Sequence, residues 1–227
     1  EMCIRDRGER MKSDLPKVVH EVAGRPIVRW VVDAVRRAGA DLIALVVGHG
    51  DEHVRAAFDG DDADIRYVIQ AEQLGTGHAT LCAEPALAGF AGDVLVLAGD
   101  GPLIRPGTIE TMWARQIETG AAATLATSII DDPAGYGRIV RDAAGRFEAI
   151  VEHKNASPQQ RAIKEIYPSY ACFDATLLFD LLKKLKPDEL TGEYYVTDIP
   201  VMMLQAGHRV ELVDAVDPGD VLSVNTP

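Results

Sequence analysis

From residue 26 onward, apolar residues spaced three and four apart give way to short unbroken apolar runs, and the exchange then repeats along the chain. Ile27, Trp30, Val31, Ala34 and Val35 share one face of a helix that Pro26 opens and Gly39 closes. Leu42 to Val47 then reads as a buried strand, Glu52 to Phe58 as a short helix, and Ile65 to Ile69 as a second strand. A helix over Gly77 to Leu87 and a strand over Asp93 to Leu97 continue the rhythm, followed by a helix over Pro106 to Thr119 and a strand over Ala122 to Ile130. Strands without polar alternation, separated by helices, predict an α/β fold of Rossmann-like, doubly wound type, with a mostly parallel sheet covered on both faces.

The pattern changes after residue 136. Gly137 to Arg141 and Arg146 to Val151 flank Ala144-Gly145, which predicts a β-hairpin inserted on the substrate side of a cleft. Helices over Ala175 to Leu185 and Thr197 to Ala206 complete the pattern, and neither an internal repeat nor a dividing linker is visible. A chain of 227 residues with one such rhythm is expected to build one core.

Composition narrows the function classes. A formal net charge of −12 argues against a nucleic-acid surface, so bound phosphate has to be held by local cations and backbone amides. No apolar run approaches the ~18 residues of a membrane span. The first nine residues alternate charges rather than forming a signal peptide, and the protein reads as cytoplasmic. Cys3, Cys82 and Cys172 show no metal or redox spacing, and the latter two sit in apolar runs expected to be core.

Three segments carry candidate chemistry. Gly8 to Lys17 gathers Arg10, Lys12 and Lys17 beside a glycine, so Arg10 and Lys17 can converge on one oligophosphate; a solvated basic loop is the alternative. Gln70 to Ala79 follows a strand and opens a helix. There Gly75 and Gly77 admit close backbone approach, while Gln70 and the turn amides offer donors and acceptors for a pyrimidine edge; Thr76 as a helix cap and His78 as a structural histidine are the plainer readings. Gly99-Asp100-Gly101-Pro102 ends a strand, where the Asp100 carboxylate can meet Mg²⁺ bound to phosphate oxygens, or merely order the turn. Tyr136-Gly137-Arg138, Glu152-His153-Lys154 and Gly192 to Asp198 supply hydrogen-bonding groups suited either to a sugar or to structure.

In this order, Lys12 to Lys17, Gln70 to Ala79, Gly99 to Leu103, Asp132 to Ile139, Val151 to Lys154 and Gly192 to Asp198 resemble the uridyltransferase domain of bacterial N-acetylglucosamine-1-phosphate uridyltransferases, in the nucleotide-diphospho-sugar transferase family. The resemblance runs from about residue 8 to Asn225. It implies a Mg²⁺-dependent enzyme that makes UDP-N-acetylglucosamine and pyrophosphate from UTP and N-acetylglucosamine 1-phosphate, for peptidoglycan and cell-wall synthesis. By the same resemblance Arg10 and Lys17 contact phosphates, Gln70, Gly75 and Thr76 recognise uracil, and Asp100 with Asn225 holds Mg²⁺. Gly137, Glu152 and Thr197 face the sugar phosphate, with Tyr195 close by. A C-terminal left-handed β-helix acetyltransferase domain is expected in the full-length protein, although no hexapeptide repeat occurs here.

Two departures stand out. The family's first strand and glycine loop are replaced here by Cys3 to Met11, so residues 1 to 7 read as a truncated or non-native leader and the domain as 8 to 227, its first strand lost or replaced. Asp6 and Glu9 stand where the family has small or hydroxyl residues; a like-charge contact near 4 Å costs on the order of 4 kcal/mol at an effective dielectric of ~20. The second departure is Tyr167-Pro168-Ser169, where the family has Asn-x-Gly and the asparagine touches the sugar. Another hexose 1-phosphate or nucleotide, or a binding module that has lost turnover through a damaged phosphate loop, therefore stands beside the leading reading.

Overall fold

A computed structural model describes residues 2–3, 15–48 and 50–222. In chain order the elements are β1 (Met2–Cys3), β2 (Glu21–Val22), β3 (Arg25–Pro26), α1 (Ile27–Arg37), β4 (Ile43–Val47), α2 (Asp51–Ala56), β5 (Ile65–Ile69), α3 (Thr76–Cys82), β6 (Asp93–Ala98) and α4 (Pro106–Thr119). There follow β7 (Ala123–Ile129), β8 (Gly137–Arg141), β9 (Phe147–Val151), α5 (Pro158–Arg161), β10 (Glu165–Tyr167), β11 (Tyr170–Asp174), α6 (Ala175–Leu182), α7 (Ile199–Gln205) and β12 (Val210–Asp214).

The main sheet runs β5-β4-β1-β6-β11-β7-β10-β8-β9, with β12 also paired to β7. Its first half matches the expected parallel sheet: β5, β4, β1 and β6 pair in parallel. The position of the replaced first strand is held by the two residues of β1, between β4 and β6. Beyond β6 the sheet is mixed, because β11 lies antiparallel to both β6 and β7, and only β12 returns in parallel. Only Pro168 and Ser169 separate β10 from β11, so the two form one interrupted strand, and both parts lie antiparallel to β7.

That interruption shapes the cleft. Pro168 and Ser169 break the strand, and Ser169 takes a left-handed backbone with φ 68°. On one side of the break β11 pairs with β6; on the other β10 pairs with β8, which carries the predicted hairpin to β9. The Ala98 amide donates to the Ser169 carbonyl at 3.1 Å, which ties the break to the carboxyl end of β6.

Apolar layers on both faces hold the sheet. Val28, Val31, Val32 and Val35 of α1 pack with Ile43, Leu45, Val47, Leu95 and Leu97. On the other face Val94, Val96 and Leu125 meet Leu178 and Phe179 of α6 and Ile199 and Met203 of α7, while Ala44 and Val46 meet Ala79. All five residues of β4 are buried, which is why its sequence shows no alternation. Each fully buried valine or leucine contributes roughly 1.5–3 kcal/mol. Helix ends differ from the expected ones where proline intervenes: α3 stops at Cys82 and a 3₁₀ turn over Glu84–Leu87 follows, with Pro85 near its start. Among the described residues no helix is long and apolar enough to cross a membrane.

Candidate active site

Lys17 opens a 3₁₀ turn, Lys17–Val19, directly after Pro16. The turn buries Val18 and leaves Lys17 only 3% exposed, with Nζ 2.6 Å from Asp100 Oδ2. Asp100 stands two residues beyond β6, at the carboxyl end of the parallel half of the sheet, where α/β sheets take their ligands. Gly101 lets the chain pass the Tyr170 hydroxyl, into which any Cβ would run. A buried ammonium needs a partner to offset lost hydration, so the Lys17–Asp100 pair fixes a cation and an anion at one end of a cleft.

The second element is the turn from β5 into α3. Gln70 is buried, and its Nε2 lies 3.2 Å from the Gly75 carbonyl and 3.0 Å from His78 Nδ1. An amide nitrogen only donates, so His78 accepts at Nδ1 and serves as a structural partner of Gln70. Gln70 Oε1 has no partner among the described residues, so the amide keeps one acceptor unused. The turn is laced to the segment before α7: the Tyr194 amide donates to the Leu74 carbonyl at 2.8 Å, and the Gly77 amide to the Tyr194 carbonyl at 2.7 Å. Thr76 Oγ1 accepts from the Val196 amide at 3.1 Å, so its hydroxyl holds the two segments together.

The third element is the sugar side expected from the sequence. Thr197 donates to Glu152 Oε1 at 3.0 Å. Tyr195 is buried and its hydroxyl pairs with Thr191 Oγ1 at 2.9 Å, and burial raises its phenol pKa. Gly137, the first residue of β8, lies under Ile150 and Tyr167; a Cβ there would stand 2.9 Å from Ile150 Cγ2. Next to it Arg138 is almost wholly buried, donates to the Tyr136 carbonyl and lies 3.3 Å from His153 Nδ1, while its Nε has no partner. Burial, then Arg161, lowers the Arg138 pKa.

A cavity of about 220 Å³ joins these elements, lined by Thr76, Asp100, Glu152 and Thr197 together with Val18, Val96, Tyr167 and Ser169. Lys17 reaches it through Asp100. Gln70 and Gly75 sit behind Thr76, Tyr195 behind Thr197, and Gly137 beneath Tyr167, without lining the cavity. Arg10 and Asn225 lie outside the described residues, as do Asp6 and Glu9. Tyr167 and Ser169, the segment that departs from the family's Asn-x-Gly, both line the cavity.

No cluster of three metal-ligating side chains occurs among the described residues. Mg²⁺ does not require one, because it commonly rests on one or two carboxylates plus substrate phosphates and water. Asp100, on the cavity at the carboxyl end of β6, fits that mode of binding.

A strand-ended carboxylate paired with a buried lysine, on a cavity at the carboxyl end of a split α/β sheet, is an arrangement suited to binding phosphate groups and their metal ion. The family described as "MobA-like NTP transferase domain" matches residues 6–181, and the chain belongs to that family. It is 47% identical over 219 residues to "Bifunctional protein GlmU" of Pelobacter propionicus and 48% identical to that of Pelotomaculum thermopropionicum; each match covers 96% of this chain and 47% of the relative. The chain thus spans about half the length of the curated relatives it matches. Two solved structures of UDP-glucose pyrophosphorylase share the fold at 16% identity. The form complexed with UDP-glucose has a TM-score of 0.75, covering 97% of this chain and 94% of that one; the apo form has 0.76, covering 93% and 90%.

Proposed function

We propose that this chain is a sugar-1-phosphate nucleotidyltransferase that makes UDP-N-acetylglucosamine and pyrophosphate from UTP and N-acetylglucosamine 1-phosphate. The observation that carries the reading is the single cavity on which Asp100, Thr76, Glu152 and Thr197 meet, with the Lys17 ammonium against Asp100. The curated relatives, each a "Bifunctional protein GlmU", support it.

In this reading a phosphate oxygen of the sugar 1-phosphate attacks the α-phosphorus of UTP in line, and pyrophosphate leaves with the electron pair of the broken P–O bond. No protein nucleophile is needed, so catalysis rests on alignment and on neutralising charge that develops on the equatorial and leaving oxygens. Gln70 Oε1 and the Gly75 turn hold the uracil; Glu152 and Thr197 hold sugar hydroxyls, with Tyr195 and Gly137 fixing that wall. Lys17 and Arg10 place positive charge on the phosphates. Asp100, with Asn225, would hold Mg²⁺, which neutralises phosphate charge when bound. Expelling water from a cavity of this size strengthens each of these contacts.

Tyr167 favours a second reading, in which the sugar is a different hexose 1-phosphate, because a phenol lines the cavity where the family has an amide. Pyrophosphate release across a panel of nucleoside triphosphates and sugar 1-phosphates separates the two. The expected best pair is UTP with N-acetylglucosamine 1-phosphate, dependent on Mg²⁺ and abolished by chelation. Faster turnover of dTTP with glucose 1-phosphate would remove the first reading, and no pyrophosphate from any pair would remove both.

A further inference from the structure

Gln70 is left with a single kind of hydrogen-bonding capacity. The residue directly follows β5 and is 3% exposed. Its Nε2 carries two hydrogens and meets two acceptors, the Gly75 carbonyl at 3.2 Å and His78 Nδ1 at 3.0 Å. Both donors are therefore spent inside the protein. Oε1 has no partner among the described residues, and, unlike the sealed Arg138 Nε, it is not closed off from the surface. What Gln70 offers a ligand is an acceptor alone.

The two acceptors are held by α3. The Gly75 carbonyl also takes the Ala79 amide at 3.0 Å, in the first turn of the helix, so it stays in place whichever way the Gln70 amide turns. The His78 ring accepts at Nδ1, so its hydrogen lies on Nε2, which faces Cys82 Sγ at 3.8 Å one turn further along. A half-turn of the Gln70 amide would set Oε1 against two acceptors, and the nitrogen is thereby kept inward and the oxygen outward. Position 3 of a pyrimidine distinguishes these two states. Uracil carries an N–H there and needs an acceptor, whereas cytosine carries a bare nitrogen and needs a donor; a site of one polarity rejects the other because like groups are left facing each other.

We propose that His78 is a positioning residue for nucleobase choice: by taking the second Gln70 N–H it keeps Oε1 turned toward the base and so selects uracil over cytosine. It acts through Gln70 rather than on the nucleotide. The inference rests on the reading of the Gln70 turn as the uracil site. Without the imidazole one Nε2 hydrogen is released and only the Gly75 carbonyl opposes rotation, so the amide can present a donor as well as an acceptor. Discrimination then falls by about the size of one neutral hydrogen bond.

The test compares His78→Leu with His78→Asn. Leucine fills the space and accepts nothing, whereas asparagine places Oδ1 near the position of Nδ1 and restores the acceptor. In calorimetric titrations with UDP and CDP in the presence of Mg²⁺, the wild type should prefer UDP. The Leu variant should lose about fivefold to tenfold of that preference, and the Asn variant should keep it within twofold. The ratio of kcat/KM for UTP and CTP should move in parallel, with the KM for the sugar 1-phosphate within twofold. His78→Ala gives the same reading if the Leu variant does not fold. An unchanged UDP-to-CDP ratio in the variant without the acceptor overturns the inference, as does an equal loss in the Asn variant or an equal weakening of both nucleotides, which would mark a structural role. A wild type that binds UDP and CDP alike, or neither, overturns the uracil reading together with the inference; a wild type that prefers UDP, with an unaffected Leu variant, overturns the inference alone.

Discussion

Asp100→Asn is expected to lower turnover on the order of 10³-fold, while circular dichroism shows the same fold. The substitution keeps shape and removes charge. Asp100 is the carboxylate at the carboxyl end of β6, it pairs with Lys17 at 2.6 Å, and it lines the cavity with Glu152. If it holds Mg²⁺ against the substrate phosphates, an amide in its place loses several kcal/mol of charge stabilisation, which is the size of the expected rate loss. Because the Lys17 side chain is 4% exposed and that of Asp100 24%, the folded state should also lose stability, by about 1–3 kcal/mol. Raising the Mg²⁺ concentration should recover part of the lost rate if the metal has been weakened rather than excluded. Turnover within threefold of the wild type would remove Asp100 from the site.

Gly75→Ala is expected to damage fold and nucleotide binding together. Gly75 has φ 114°, a conformation closed to L-residues, and a Cβ there would stand 2.5 Å from the Tyr194 carbonyl oxygen and 2.7 Å from its nitrogen. Both obstacles are backbone, held by the bonds from Tyr194 to Leu74 and from Gly77 to Tyr194, so neither can turn aside as a side chain could. The strain and the forced separation together should cost about 3 kcal/mol or more, a fall of roughly 6–12 °C in the thermal midpoint for a chain of this length. Since Thr76 carries the Val196 amide, the same shift moves Thr197 away from Glu152, and the KM values for both substrates should rise. A midpoint within 2 °C of the wild type would mean that the turn does not depend on this close approach.

Much of the scaffold was legible because its signals are local. Pro106 near the start of α4 and Gly120, left-handed at its end with φ 60°, put the helix boundaries where the sequence placed them. The β8–β9 hairpin followed from Gly145, which takes φ 78° in the turn. The strand over Tyr170–Asp174 was not read from the sequence although its run is apolar; it begins directly after Pro168 and Ser169, which mark the break between two pairings of one strand. The antiparallel half of the sheet was missed because hydrophobic periodicity carries no strand direction.

Within the site, Lys17, Thr76, Asp100, Glu152 and Thr197 come from segments that sequence order had already grouped, and the cleft brings them together. The lacing of Leu74, Gly75 and Gly77 to Tyr194 was not legible, since it joins two turns far apart in the chain through main-chain atoms that any residue carries. Nor could pattern alone show that Gly137 lies against Ile150 of the neighbouring strand, where a Cβ would stand 2.9 Å from Cγ2.

A nucleotide sugar is expected to lie across the split sheet, with its phosphates and sugar in the cavity and its uracil against the Gln70–Gly75 turn beside it. A crystal structure of the protein with UDP-N-acetylglucosamine and Mg²⁺ tests it directly. The account predicts the uracil against Gln70 and the Gly75 turn, the diphosphate and metal at Lys17 and Asp100, and the sugar between Glu152, Thr197 and Tyr167. A nucleotide sugar bound elsewhere, with the Lys17–Asp100 pair intact and the cavity filled only by water, would contradict it.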